Sequence, residues 1–167
     1  MLQPSSKWCW YFDSQHQCLA LELDEMLFLT PYRQKQLLPA ALQRHAFSLD
    51  DLAFYSQIAE KLEYFKLQFS PAQATQIAIN ATAVKQFYRP LMPKSWYFKR
   101  QHSMGQNHGF GMLENSLGQG SVVLIEKDKI SSLCMLVSNR MQLDQHHNLE
   151  QFAVIKVMND CIFPYLP

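Results

Sequence analysis

Apolar and polar positions along the first third of the chain alternate with the period of extended strands. Trp8-Cys9-Trp10-Tyr11-Phe12 is rich in aromatic side chains that favour strands, Asp13-Ser14-Gln15-His16 carries turn chemistry, and Leu19, Leu21 and Leu23 then share one face. The pattern predicts a β-hairpin, with Trp8 and Trp10 on one strand face as core or as the wall of an apolar groove. Asp24-Glu25 turns the chain into a short third strand, Met26 to Leu29. Thr30-Pro31 has the form of an N-cap followed by proline at the first helical position, which predicts a short helix through Leu38, broken at Pro39.

The period then changes to that of helices. Ser48-Leu49-Asp50-Asp51 is an acidic capping box, and Leu52, Tyr55, Ile58, Ala59 and Leu62 follow at helical spacing. Ser70-Pro71 opens a second helix whose stripe is Ala74, Ile77, Ala78, Ala81, Val84 and Tyr88; its small residues suit close packing, and Pro90 ends it. After Pro93 the composition changes. All five glycines lie between Gly105 and Gly120, and 121–126, 132–137 and 151–158 read as strands, with a hairpin turn at Lys127-Asp128-Lys129. The expected fold class is α+β: an N-terminal α/β domain over 1–92 packed against a C-terminal domain over 93–167, barrel-like or a strongly twisted sheet.

Composition adds little to this picture; the distribution of charge adds more. With 48% hydrophobic residues in 167 the chain can build a core, and its formal net charge is only +1. Yet between Tyr64 and Leu113 there is no Asp or Glu, whereas Lys66, Lys85, Arg89, Lys94, Lys99 and Arg100 all fall there. These cations surround Phe87-Tyr88-Arg89-Pro90-Leu91-Met92-Pro93-Lys94-Ser95-Trp96-Tyr97-Phe98, where prolines stiffen a run of aromatics. Aromatics and Arg carry much of the binding energy at interfaces, and a local positive field steers an acidic partner.

No apolar run has the roughly 18 residues a membrane span needs, and the N-terminus has no signal-peptide core. The expectation is a cytoplasmic protein without a membrane partner, whose Cys9, Cys18, Cys134 and Cys161 are buried thiols. Nucleotide-binding, hydrolase and zinc-protease motifs are absent. Gly105 to Gly111 lacks the spacing of a phosphate loop and reads as a mobile turn. His146-His147 would point to opposite faces of a strand, and His102 and His108 have no cysteine beside them, so no metal, cofactor or catalytic residue is expected.

Ala83 to Trp96, ending Arg89-Pro90-Leu91-Met92-Pro93-Lys94-Ser95-Trp96, resembles the Z-ring-associated cell division protein C (ZapC) family, in which a basic residue, Pro, any residue and Met-Pro-Lys-Ser-Trp follow in order. Trp8-x-Trp10-Tyr11-Phe12-Asp13, Met26-Leu27-Phe28 and Ile155-Lys156-Val157-Met158-Asn159-Asp160 agree as well. The resemblance is weak from about Gln101 to Gln145. It implies a monomeric, non-enzymatic cytoplasmic protein of γ-proteobacteria that binds the tubulin-like GTPase FtsZ at the midcell division ring, bundles its filaments and lowers their GTP turnover. It implies an N-terminal α/β domain joined to a twisted β-barrel. Leu21 and Lys94 match family residues implicated in FtsZ binding, and Arg89 stands where the family has a modulating Lys. Cys161 and Phe163 stand where the family has basic residues.

The partner-binding candidates are thus Leu21, Arg89, Lys94 and Trp96. Leu21 is expected to be partly exposed in an apolar patch, and Lys94 to mark a basic one. Two patches on one chain would join filaments by avidity. The alternative is a small nucleic-acid or phospholigand-binding module that uses residues 85–100, with Trp96, Tyr97 and Phe98 as stacking platforms.

Overall fold

The computed structural model describes residues 1–64, 69–101 and 109–165. The chain divides into two compact units, one of residues 1–63 with 68–89, the other of 64–67 with 90–167. The fold is mixed α+β, with two α-helices and antiparallel sheets among the described residues.

In the first unit, β1 (Cys9–Asp13) and β2 (Cys18–Glu22) form the expected hairpin, with Trp10 opposite Leu21 and Phe12 opposite Leu19. Its turn holds Gln17 at φ 55°, and the Asp13 carboxylate accepts the Gln15 N–H at 3.0 Å. β3 (Leu27–Leu29) and β4 (His45–Ala46) flank the hairpin in the order β3-β2-β1-β4. The apolar inner face packs aromatic on aromatic: Trp8 meets Phe47 and Tyr55 edge-on at 5.3 and 5.8 Å, and Trp10 meets Phe87 at 5.7 Å.

α1 (Leu49–Tyr64) begins where the capping box predicts: Asp51 N–H donates to Ser48 Oγ at 3.0 Å, and Ser48 N–H to the Asp51 carboxylate at 2.9 Å. The same carboxylate accepts the Trp10 indole N–H at 3.1 Å, so one buried acid both caps the helix and ties it to β1. α2 (Pro71–Phe87) starts with a Ser70/Gln73 capping box and Pro at its first turn. It is more enclosed than a single stripe implies. From Ile77 to Val84 every residue is buried, Asn80 and Thr82 included, and Thr82 satisfies its hydroxyl on Ala78 O at 2.7 Å.

The short helix expected after Thr30 is not formed. Thr30 instead bonds back to β2, its N–H and hydroxyl both donating to Leu19 O at 3.0 and 2.7 Å. With that hydroxyl engaged on the sheet, residues 34–36 and 39–42 make two separate 3-10 turns.

Among the described residues from Pro90 onward, the regular structure of the second unit is β apart from short 3-10 turns at Ser95–Tyr97 and Asn159–Cys161. Its strands are β5 (Phe110–Asn115), β6 (Gly118–Lys127), β7 (Ser131–Leu136), β8 (Arg140–Gln142), β9 (Asn148–Glu150), β10 (Val154–Met158) and β11 (Phe163–Pro164). Five form one antiparallel sheet in the order β10-β7-β6-β5-β11, and β8 and β9 form a separate hairpin. The edge strands β10 and β11 do not pair with each other, so no closed barrel exists among the described residues. Leu113, Val122, Cys134, Leu136, Val157 and Ile162 lie in its core.

Two expectations shift here. The strand expected over 151–158 begins at Val154, because Phe152 takes φ 68° in a turn. The end of the glycine-rich run is strand: a Cβ on Gly111 would sit 2.5 Å from Ile162 Cγ2 and 3.1 Å from Phe163 O, which explains a glycine where β11 crosses β5. The remainder of that run, Gly105 to His108, lies outside the described residues, as do Lys66 and His102. All four cysteines are free thiols; three are buried, and Cys9 is half-buried.

Candidate partner-binding site

Two sequence blocks far apart in the chain are stitched together in the second unit. Lys94 N–H donates to Lys156 O at 2.8 Å, and the Met158 N–H donates to Ser95 Oγ, also at 2.8 Å. Gln101 N–H reaches Asp160 O at 2.9 Å, and the Arg100 guanidinium pairs with the Asp160 carboxylate at 3.1 Å. With the buried Ser95 hydroxyl spent on β10, the 3-10 turn holds its next residue outward: Trp96 is 71% exposed. An indole so displayed is unusual for a residue that prefers burial.

The cations differ in their freedom. Arg100 is neutralised by Asp160, whereas no described carboxylate lies within ion-pair distance of Lys94 or Lys99. Arg89 belongs to the first unit, where its N–H donates to Gln36 O at 2.9 Å and its Nε to Leu37 O, so this side chain also clamps the 36–38 segment against the end of α2.

Beside Trp96 a groove of about 460 Å³ runs between two walls. Trp96, Tyr97 and Lys99 form one; Ser116, Leu143 and Asp144 form the other. The second wall is braced from within. Asn115 donates to Gln142 O at 2.9 Å and accepts the Leu117 N–H at 2.8 Å. The Asp144 carboxylate accepts the His146 and His147 N–H groups at 2.7 and 2.6 Å and meets the His147 ring at 2.9 Å. These bonds, first that from the His146 backbone, hold its pKa below the usual carboxylate value.

Leu21 lies elsewhere and is not exposed at all. The partial exposure expected for it is wrong, because β2 is enclosed on both faces: Cys18 and Ala20 are buried as well as Leu19 and Leu21. The adjoining edge groups three exposed apolar side chains, Met26 at 62% with Leu27 and Leu29; Leu49, Leu42 and Leu52 are exposed elsewhere in this unit. Met26 and Phe28 border a groove of about 410 Å³ with Leu2, Leu23 and Pro71.

The structure therefore brings Lys94 and Trp96 together and leaves Leu21 and Arg89 in the other unit. Ser95, Asp160 and the far wall of the Trp96 groove were missed in the sequence. The pairing of residues 94–101 with 156–160 has no local signal, although both blocks carry the family resemblance. Among the described residues no three His, Cys, Asp or Glu side chains converge as a metal site, and no helix is long and apolar enough to cross a membrane.

Fold and site together define a two-unit α+β protein that displays an aromatic and basic surface. Family models described as "Cell-division protein ZapC, N-terminal" and "Cell-division protein ZapC, C-terminal" match residues 1–89 and 90–167. The chain is 37% identical to cell division protein ZapC of Pseudoalteromonas translucida, over 99% of this chain and 95% of that one. It is 36% identical to that of Shewanella woodyi (98% and 92%) and 33% identical to that of Aeromonas hydrophila (98% and 92%). The chain belongs to the ZapC family of cell-division proteins.

Proposed function

We propose that this chain is a division-ring adaptor that binds FtsZ filaments, joins them laterally, lowers their GTP turnover and so stabilises the ring at midcell, without catalysis of its own. The observation that carries this reading is the outward Trp96 beside the unpaired Lys94, held in the block that most specifically resembles the family. A rigid indole with an adjacent unpaired ammonium is suited to an acidic protein surface. Lys94 and Trp96 are the partner contacts of the second unit, and Arg89 contributes charge from the first.

The apolar contact is assigned to Met26 and its neighbours on the β3 edge. Leu21 supports that edge from inside, where it pairs with Phe28. A lesion at Leu21 would therefore weaken binding through packing. Two patches on one monomer suffice to join two filaments.

Cosedimentation with purified FtsZ and GTP tests the proposal. Wild-type protein should pellet with filaments, raise their light scattering and slow phosphate release. Lys94→Glu should weaken pelleting, most strongly at low salt, with an unchanged circular dichroism spectrum. Unchanged pelleting at low and high salt would remove Lys94 from the interface.

A further inference from the structure

The first residues of the chain border the apolar groove of the first unit and are tied there by polar bonds. Leu2 N–H donates to Thr75 Oγ1 at 3.1 Å, and Leu2 O accepts the Tyr55 hydroxyl at 2.7 Å, so the backbone of one residue is held by a side chain from each helix. Ser5 anchors the root of this segment. Its hydroxyl donates to the Asp24 carboxylate at 2.5 Å, and its carbonyl accepts the Trp8 N–H at 3.2 Å. Pro4 stiffens the step between the two anchors. Met1 and Leu2 thereby line the groove of about 410 Å³ that Leu23, Met26, Phe28 and Pro71 also border.

We propose that residues 1–4 are an autoinhibitory strap: they close one side of the first-unit groove beside Met26, and their release widens the apolar surface open to a filament. The inference rests on the apolar contact assigned to the β3 edge and adds a device that restrains it.

Burial separates a strap from a permanent wall. Met1 and Leu2 stay 37% and 43% exposed, whereas Leu23 in the same groove is buried. Polar ties with little apolar burial place the segment at the low-stability end of the unit, where local opening is easiest. Neither hydroxyl is stranded when Leu2 leaves. Thr75 keeps its bond to Pro71 O at 3.0 Å, and Tyr55 lies within hydrogen-bonding reach of the Thr75 side chain. Burial pushes the Tyr55 hydroxyl up to about 12, so it stays protonated and able to donate at neutral pH. The closed and open states thus differ by a few exchangeable bonds, which is what a reversible cover needs.

Tyr55→Phe combined with Thr75→Val removes both ties and keeps the side-chain shapes; deletion of Leu2 to Pro4 removes the strap outright. Methyl resonances of isotope-labelled methionine read the strap at Met1 and the groove at Met26 without any partner. Cosedimentation with FtsZ and GTP reads the contact. The double variant should move the Met1 methyl to its random-coil position and shift that of Met26, with an unchanged circular dichroism spectrum. A strap closed about two-thirds of the time raises an apparent dissociation constant about threefold, so both variants should reach half-maximal pelleting at about one-third of the wild-type concentration. An unmoved Met1 methyl in the double variant would overturn the ties. A released strap with equal or weaker pelleting would overturn the inhibitory role, make Met1 and Leu2 a wall of the site, and leave the adaptor reading standing. No pelleting by wild type or by either variant, with the strap released, would sink the adaptor reading and the inhibitory role together. If the double variant loses its native spectrum, the deletion carries the same test through Met26 and pelleting.

Discussion

Asp51 holds more of the first unit together than its size suggests. Its carboxylate accepts from the Trp10 indole and from Ser48 N–H while buried, joining a helix cap to the strand beneath. Asp51→Ala strands two donors, so the expected loss is about 2–4 kcal/mol, from a lost cap and a buried unsatisfied indole. Urea denaturation followed by circular dichroism measures it; a loss below about 1 kcal/mol would mean that water replaces the carboxylate. Leu21→Ala is expected to cost about 2–5 kcal/mol, because the side chain is wholly enclosed. A variant of native stability with weakened FtsZ binding would contradict the packing role assigned to Leu21.

Asp144 gives a pH test. Its folded pKa is depressed, so its contribution to stability is present above the unfolded value of about 3.9 and fades as pH falls through the lower folded value. The stability difference between wild type and Asp144→Asn should therefore narrow below roughly pH 4. A difference that stays constant from neutral to strongly acid pH would show that the carboxylate charge is not what holds the turn.

Elements were legible in the sequence where local chemistry starts or stops them. Capping boxes at Ser48 and Ser70 mark both helices, and alternation in residues 8–23 gives the first hairpin. Alternation did not reveal which face of β2 is covered. Cys18 and Ala20 are small enough to be enclosed opposite the leucines, so a strand read as one-sided is buried on both sides. The strands missed were β4, β5, β8, β9 and β11; all but β5 have two or three residues each and exist through tertiary pairing. β5 was hidden by the glycine-rich run that leads into it, and Gly111 is there because Ile162 and the β11 backbone leave no room for a side chain. Gly111→Ala should destabilise the second unit by about 1–3 kcal/mol through overpacking. A melting temperature equal to wild type would mean that Ile162 and the β11 backbone yield freely. The candidate site was half legible. One wall is a contiguous, aromatic and basic run; the other comes from residues 115–116 and 143–144, which only the fold brings near.

At the scale of the whole molecule, the proposed bundling depends on valency. Each unit exposes the surface proposed for contact: the β3 edge around Met26 in the first, Lys94 and Trp96 in the second. A monomer with two independent patches can hold two filaments, and loss of one patch should remove the link before it removes the grip. Met26→Asp and Lys94→Glu both alter exposed positions, so their effects on folding should be small and those on association dominant.

The central claim is tested most directly by measuring pelleting and light scattering of FtsZ filaments, in the same samples, with wild type, Met26→Asp, Lys94→Glu and the double variant. Each single variant should lose most of the scattering increase while still pelleting in part, and the double variant should do neither. Single variants that bundle filaments as well as wild type, or a double variant that still pellets, would contradict the two-patch account.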